Sequence, residues 1–192
     1  MRRRLLLTLA IVLGLTVTAA LTVRFWAPAT QSSVQIGGPF SLIDTEGRPV
    51  SDRTLLGKPT AIFFGFTFCP EVCPTTLTEM TAALDALGPD ADRLNVVFVS
   101  VDPERDTPAR MKVYLSNFDS RIRGFTGTPE TVARAAKAYR IYYAKVPLEG
   151  GEYTIDHSAS VYLFDRRGRF IGPIAYGSPH ERVVARLKDL VG

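Results

Sequence analysis

The chain is short of the side chains that bind metals tightly: its 192 residues include two cysteines, two histidines and three methionines. A closed structural zinc site normally takes four protein ligands, so here it would need every cysteine and histidine at once. An excess of one charge is also missing. The net charge is +4, and Arg2, Arg3, Arg4 and Arg24 at the N-terminus account for all of it. The rest of the chain is therefore neutral and carries no basic stripe to follow phosphates, which excludes a nucleic-acid partner. No internal repeat and no low-complexity tract interrupt an ordinary globular composition. The length suits one domain and is too short for two of ordinary size.

One long apolar run is present, at the beginning. After Arg2-Arg3-Arg4, residues 5–23 contain no charged side chain, and as a helix they would extend roughly 28 Å, about one hydrocarbon core. Such a segment reads as a single transmembrane anchor with its arginines on the cytoplasmic side, in the inner membrane, and with the domain in the periplasm or outside the cell. A cleaved signal peptide with Ala27-x-Ala29 as the cleavage site is the competing reading, although its apolar core would be unusually long. Residues 1–26 form the anchor or signal, 27–39 a tether rich in proline, glycine and small polar residues, and 40–192 the folded domain.

Within that domain the hydrophobic pattern alternates. Residues 40–43 read as a short strand ending at a turn. Residues 60–66 are an unbroken apolar run, suited to a strand covered on both faces. Leu77, Met80, Ala83, Leu84 and Leu87 mark an amphipathic helix over 74–87, stopped by Gly88-Pro89. A second buried strand covers 94–101 and a second helix 107–118. Thr128 caps a third helix with Pro129 at its first position, running to Tyr139. A meander of strands at 141–146, 153–155, 160–164 and 170–175 follows, and a helix capped by Ser178 and Pro179 closes the chain. This order implies an α/β domain with a mixed sheet flanked by helices, not a sandwich or a bundle.

The two cysteines stand together in Cys69-Pro70-Glu71-Val72-Cys73, directly after the first buried strand and at the start of the first helix. If the helix begins near Pro70, the i, i+4 spacing puts both sulfurs on one face. Helix N-terminal amides favour a thiolate, which serves either redox exchange or metal ligation. A plain stabilising disulfide is the bland alternative, but so small a loop removes little entropy from the unfolded chain. His157, in a loop before the 160–164 strand, can approach the cysteine turn. Two thiolates and an imidazole make a soft three-donor set, fitting copper, as Cu(I) or Cu(II), better than zinc. His180, at the start of the last helix, reads as a solvated polar residue, and Met80 and Met111 as core. Asp102, in the loop after the second buried strand, is a candidate supporting residue for the ligands, and so is Asp156 beside His157. Asp106 and Thr107 read as loop and helix cap.

Three segments taken in order, Phe64-Gly65-Phe66-Thr67-Phe68-Cys69-Pro70-Glu71-Val72-Cys73-Pro74, Ser100-Val101-Asp102-Pro103-Glu104-Arg105-Asp106-Thr107 and Asp156-His157-Ser158, resemble the Sco/SenC copper chaperones. The resemblance extends over about residues 36–190. It implies a thioredoxin-like fold, one copper ion on Cys69, Cys73 and His157, and a metallochaperone rather than an enzyme. It also implies cytochrome c oxidase subunit II as partner, through its binuclear copper centre, with another copper chaperone and a thiol reductase as further candidates.

A thiol–disulfide oxidoreductase acting through the Cys69–Cys73 pair is the main rival. Thioredoxins resemble one another in having two residues between their cysteines, where this chain has three, and redox exchange alone has no need of His157. A thiol peroxidase pattern would place threonine three residues before the reactive cysteine, and Phe66 stands there.

Overall fold

The computed structural model describes residues 35–192 and, ahead of them, positions 2, 3, 6, 9 and 12–18. The chain divides into two units, Met1–Val34 and Gln35–Gly192. In the first, residues 12–18 are helical. Among the described residues no helix is long and apolar enough to cross a membrane. Most of the 5–23 run, Ala27-x-Ala29 and the tether up to residue 34 lie outside the described residues.

The second unit is built on a seven-stranded mixed sheet. Its strands are β1 (Ser41–Asp44), β2 (Pro49–Ser51), β3 (Thr60–Gly65), β4 (Asn95–Ser100), β5 (Ile122–Thr126), β8 (Val161–Phe164) and β9 (Phe170–Ile174), in the spatial order β2-β1-β5-β4-β3-β8-β9. β3, β4 and β5 pair in parallel; β1 and β8 join them antiparallel. The apolar runs explain the centre. All six residues of β3 and five of six in β4 are buried, and since successive side chains point to opposite faces, both faces of the sheet are covered.

Four helices supply that cover: α1 (Val72–Leu87), α2 (Pro108–Leu115), α3 (Pro129–Ala138) and α4 (His180–Val191). α1 buries Cys73, Thr76, Leu77, Met80, Ala83, Leu84 and Leu87, an i, i+3/i+4 stripe. Thr107 and Thr128 cap α2 and α3, accepting the amides of Arg110 and Thr131, each with proline at the first turn. Met80 and Met111 lie in the core.

The fold departs from the sequence expectation in four places. β5 separates β1 from β4, although Arg123 and Gly124 break its apolar pattern; a Cβ at Gly124 would come within 2.6 Å of Leu115, so α2 packs against backbone there. The three-residue β2, opening on a proline, has no periodicity to read. The expected meander is two separate units: β8 and β9 extend the main sheet, while β6 (Tyr143–Pro147) and β7 (Tyr153–His157) form a two-stranded hairpin of their own. Their side chains are mostly half-buried or exposed, too little apolar surface to seat them in the sheet. Finally, Ser178 does not cap α4. Its hydroxyl donates to the Ala175 carbonyl at 2.8 Å, and Pro179 precedes the helix without a side-chain cap.

Candidate metal centre

The loop between β3 and α1 brings the cysteines to the carboxyl end of the central strand. α1 begins at Val72, so Cys73 lies in its first turn and Cys69 precedes the helix. The two sulfurs thus do not share a helical face as expected. Instead Cys69 Sγ accepts the Cys73 backbone N–H at 3.4 Å, serving as a sulfur cap for one of the free amides of the helix start. The Cys69 amide in turn donates to the Phe66 carbonyl at 3.2 Å, tightening the loop. Both thiols are free, Cys69 half-buried and Cys73 buried. Gly65 is required by this arrangement: a Cβ there would lie 2.6 Å from Cys73 Sγ and 2.8 Å from the Phe98 ring.

His157 is the last residue of β7, not a loop residue. Its Nε2 is 3.5 Å from Cys73 Sγ and its Nδ1 is 3.0 Å from the Ser158 carbonyl. A carbonyl only accepts, so that bond puts the proton on Nδ1 and leaves the Nε2 lone pair facing the sulfurs, the form in which imidazole ligates a metal. The ring sits edge-on against Phe66, with centroids 5.7 Å apart, and beside Phe63. One donor atom from each of Cys69, Cys73 and His157 lies within 4.8 Å of the others, a group that can hold a metal ion.

The two thiols are not equivalent. Cys69 is drawn down to about 4, chiefly by the hydrogen bond from Cys73 and further by backbone amides, against the effect of burial. Cys73 is pushed up, first by its role as donor to Cys69 and then by burial. One proton shared between the sulfurs therefore sits on Cys73, and Cys69 carries the thiolate.

The residues that surround the cluster were only partly anticipated. Asp106, which the sequence presents as loop and helix cap, instead anchors the cysteine loop. Its carboxylate is fully buried and accepts the Thr67 amide at 3.1 Å, the Thr67 hydroxyl at 2.6 Å and the Ser100 hydroxyl at 2.6 Å, tying the cysteine loop to the end of β4. Burial is the main cause that raises its pKa, with the hydrogen bonds opposing. Its sequence signal was faint: a second acid four residues after Asp102, before a helix cap that does not need it. Asp102 is also buried but touches neither sulfur nor imidazole; it receives the Tyr153 hydroxyl at 2.7 Å and the Arg105 guanidinium. Asp156 also departs from the expectation. It is exposed, because alternation along β7 sends it to the face opposite His157, and the Ser158 carbonyl stands where it was expected. His180 lies away from the cluster, its Nδ1 2.7 Å from Glu79.

Fold and site together define a thioredoxin-like domain with a three-donor, sulfur-rich cluster that can hold a metal ion. The SCO1/SenC family profile matches residues 28–192. Protein SCO1 homolog 1 of Arabidopsis thaliana mitochondria is 42% identical over 147 residues, covering 76% of this chain and 43% of its own length. Protein SenC of Rhodobacter capsulatus is 38% identical over 174 residues, covering 85% of this chain and 78% of that protein. Among solved structures, Bradyrhizobium japonicum ScoI with copper bound superposes with a TM-score of 0.76 at 52% identity, covering 81% of this chain and 99% of that one. Yeast Sco1 with copper bound gives 0.76 at 37% identity, covering 82% and 88%. The chain spans less than half the length of the two Arabidopsis mitochondrial relatives. It belongs to the SCO1/SenC family.

Proposed function

We propose that this chain is a copper metallochaperone of cytochrome c oxidase assembly, which holds one copper ion on Cys69, Cys73 and His157 and passes it to the binuclear copper centre of subunit II. The observation that carries the reading is the convergence of those three donors within 4.8 Å. Two sulfurs suit Cu(I), and the imidazole suits either oxidation state. The copper-bound state of the Bradyrhizobium and yeast relatives supports copper as the cargo. Residues 1–26 serve as the membrane anchor and 27–39 as the tether, with the domain on the periplasmic side.

The site's own residues supply three properties. Cys69 is a thiolate at neutral pH, so ligation there releases no proton. Cys73 is buried against Phe98 and Gly65, and its sulfur has little freedom to move. His157 presents an unprotonated Nε2 on a strand outside the main sheet. Delivery is then ligand exchange: a partner offering better donors replaces the imidazole first and the thiolates after it.

One observation favours a second reading, thiol–disulfide exchange. An ionised, half-exposed Cys69 beside a buried, protonated Cys73 has the asymmetry of an attacking and a resolving thiol. In that reaction the Cys69 thiolate attacks a target disulfide and releases one target thiolate. Cys73 then gives up its proton, closes the Cys69–Cys73 bond and releases the second. The target is reduced and the pair oxidised.

The test is copper titration of the reduced full-length chain, followed by mixing with the metal-free copper domain of subunit II. One-to-one binding and appearance of the binuclear copper absorption in the acceptor are expected. No binding, with reduction of an oxidised acceptor at a rate indifferent to His157→Ala, would replace delivery with the redox reading.

A further inference from the structure

The hairpin that carries His157 shares no strand pairing with the seven-stranded sheet. Apart from the Cys73–His157 contact, three hydrogen bonds between described residues tie 143–157 to the body, and all three end on the loop that follows β4. The Tyr153 hydroxyl donates to Asp102 at 2.7 Å, Arg105 Nη1 donates to the Tyr153 carbonyl at 2.9 Å, and Lys145 donates to Glu104 at 2.7 Å. The Lys145–Glu104 pair is exposed and contributes little. The other two meet at Arg105 and the buried Asp102.

Arg105 sits at the junction of the two halves of the metal centre. Its guanidinium carbon is 3.7 Å from the centroid of the Tyr153 ring and 4.6 Å from that of Phe68. Phe68 immediately precedes Cys69. Tyr153 shares a face of β7 with Ile155 and His157, since residues two apart point the same way. The cation thus lies over both a ring on the thiolate loop and a ring on the imidazole strand, with Nε held by a carboxylate that is 1% exposed. Its remaining nitrogen, Nη2, is buried and has no hydrogen-bond partner among the described residues. A buried donor left unpaired is uncommon and calls for a reason beyond hydrogen bonding. Here the reason is the planar, stacking shape of the group, which lysine lacks.

The geometry points to Arg105 as a positioning residue, a planar cation that holds the hairpin down on the cysteine loop and so keeps His157 Nε2 within ligand range of the two sulfurs. The inference deepens the copper reading and rests on it only for the metal half of its test. Groups that orient a metal ligand without touching the metal are worth about ten- to a hundredfold in affinity, which sets the scale of the effect.

The experiment uses the full-length reduced chain, Arg105→Lys, Tyr153→Phe, His157→Ala and the Arg105→Lys/His157→Ala double variant. In metal-free protein, Arg105→Lys raises amide hydrogen exchange across 143–157 by about tenfold or more and leaves β3 and β4 protected. Tyr153→Phe, which keeps the stack and loses only the hydroxyl, moves the same amides less, and keeps the test alive should Arg105→Lys fail to fold. With copper, Arg105→Lys speeds dissociation by about tenfold and adds nothing once His157 is alanine. Unchanged hairpin exchange, or a rise shared equally with β3 and β4, overturns the inference. So does an equal cost with and without His157. If the wild-type chain binds no copper, the delivery reading falls, and the exchange pattern alone decides the role of Arg105.

Discussion

The β3–β4 body and the β6–β7 hairpin contribute to one site by opposite means. The body offers the buried strand β3, which leads into the cysteine loop, with β4 beside it, a sulfur that leaves no space for a side chain at Gly65, and a buried carboxylate, Asp106, that binds Thr67 and Ser100 together. The hairpin offers one imidazole on a pair of half-buried to exposed strands that bury only Ile155 in the core and are tied down by Asp102 and Arg105. The thiolates are therefore placed mainly by packing, and the histidine by one buried side chain, Ile155, together with a few polar and ring contacts. A carrier that must both retain a soft metal ion and release it has use for that division: two ligands on rigid elements, one on an element that can lift without unfolding the core.

Breaking the body should have the largest effect. Asp106→Ala leaves the Thr67 and Ser100 donors unpaired in the interior. It should cost about 3 kcal/mol of global stability in a denaturant titration, and an unchanged unfolding midpoint would show that the loop is held otherwise. Gly65→Ala forces a methyl against Cys73 and Phe98; about 2 kcal/mol is expected from overpacking, with weaker copper binding alongside. A third test sharpens the contrast between the sulfurs. The thiolate is the nucleophile, so alkylation of metal-free protein at Cys69 should vary little from pH 8 down to about 5, while an ordinary thiol slows tenfold per pH unit over the same range. Cys73 should stay unlabelled until the protein unfolds, and equal labelling of the two would contradict the asymmetry. The smallest effect belongs to the hairpin's exposed tie: Lys145→Ala should change stability by less than about 0.5 kcal/mol.

The same division governed what could be read beforehand. β3 and β4 are apolar on both faces and announce themselves in the sequence, as do the Thr128-Pro129 helix start and the spacing of Cys69 and Cys73. His157 was recognisable as a ligand candidate because the chain has so few donors. Its strand was legible only in part, as 153–155; that it runs on to His157 and pairs with β6 apart from the main sheet was not, since polar contacts from a distant loop tie it down. β5 stayed hidden because Gly124 answers to the side of α2 packed against it, a tertiary demand that leaves no local trace. Asp106 and Arg105 were invisible for a related reason. Each lies in a short polar loop, and its meaning depends on partners 39 and 48 residues away. Asp156 misled because sequence neighbours on a strand face opposite ways.

The most direct test of the account is the copper affinity of Cys69→Ser, Cys73→Ser and His157→Ala, measured side by side on reduced protein against a competing Cu(I) chelator. If the thiolates belong to the rigid body and the imidazole to the movable arm, each serine variant loses more than about a hundredfold. His157→Ala loses about ten- to a hundredfold and releases copper faster, with its fold intact. Wild-type affinity in His157→Ala would contradict the three-donor site and, with it, the division of labour between body and hairpin.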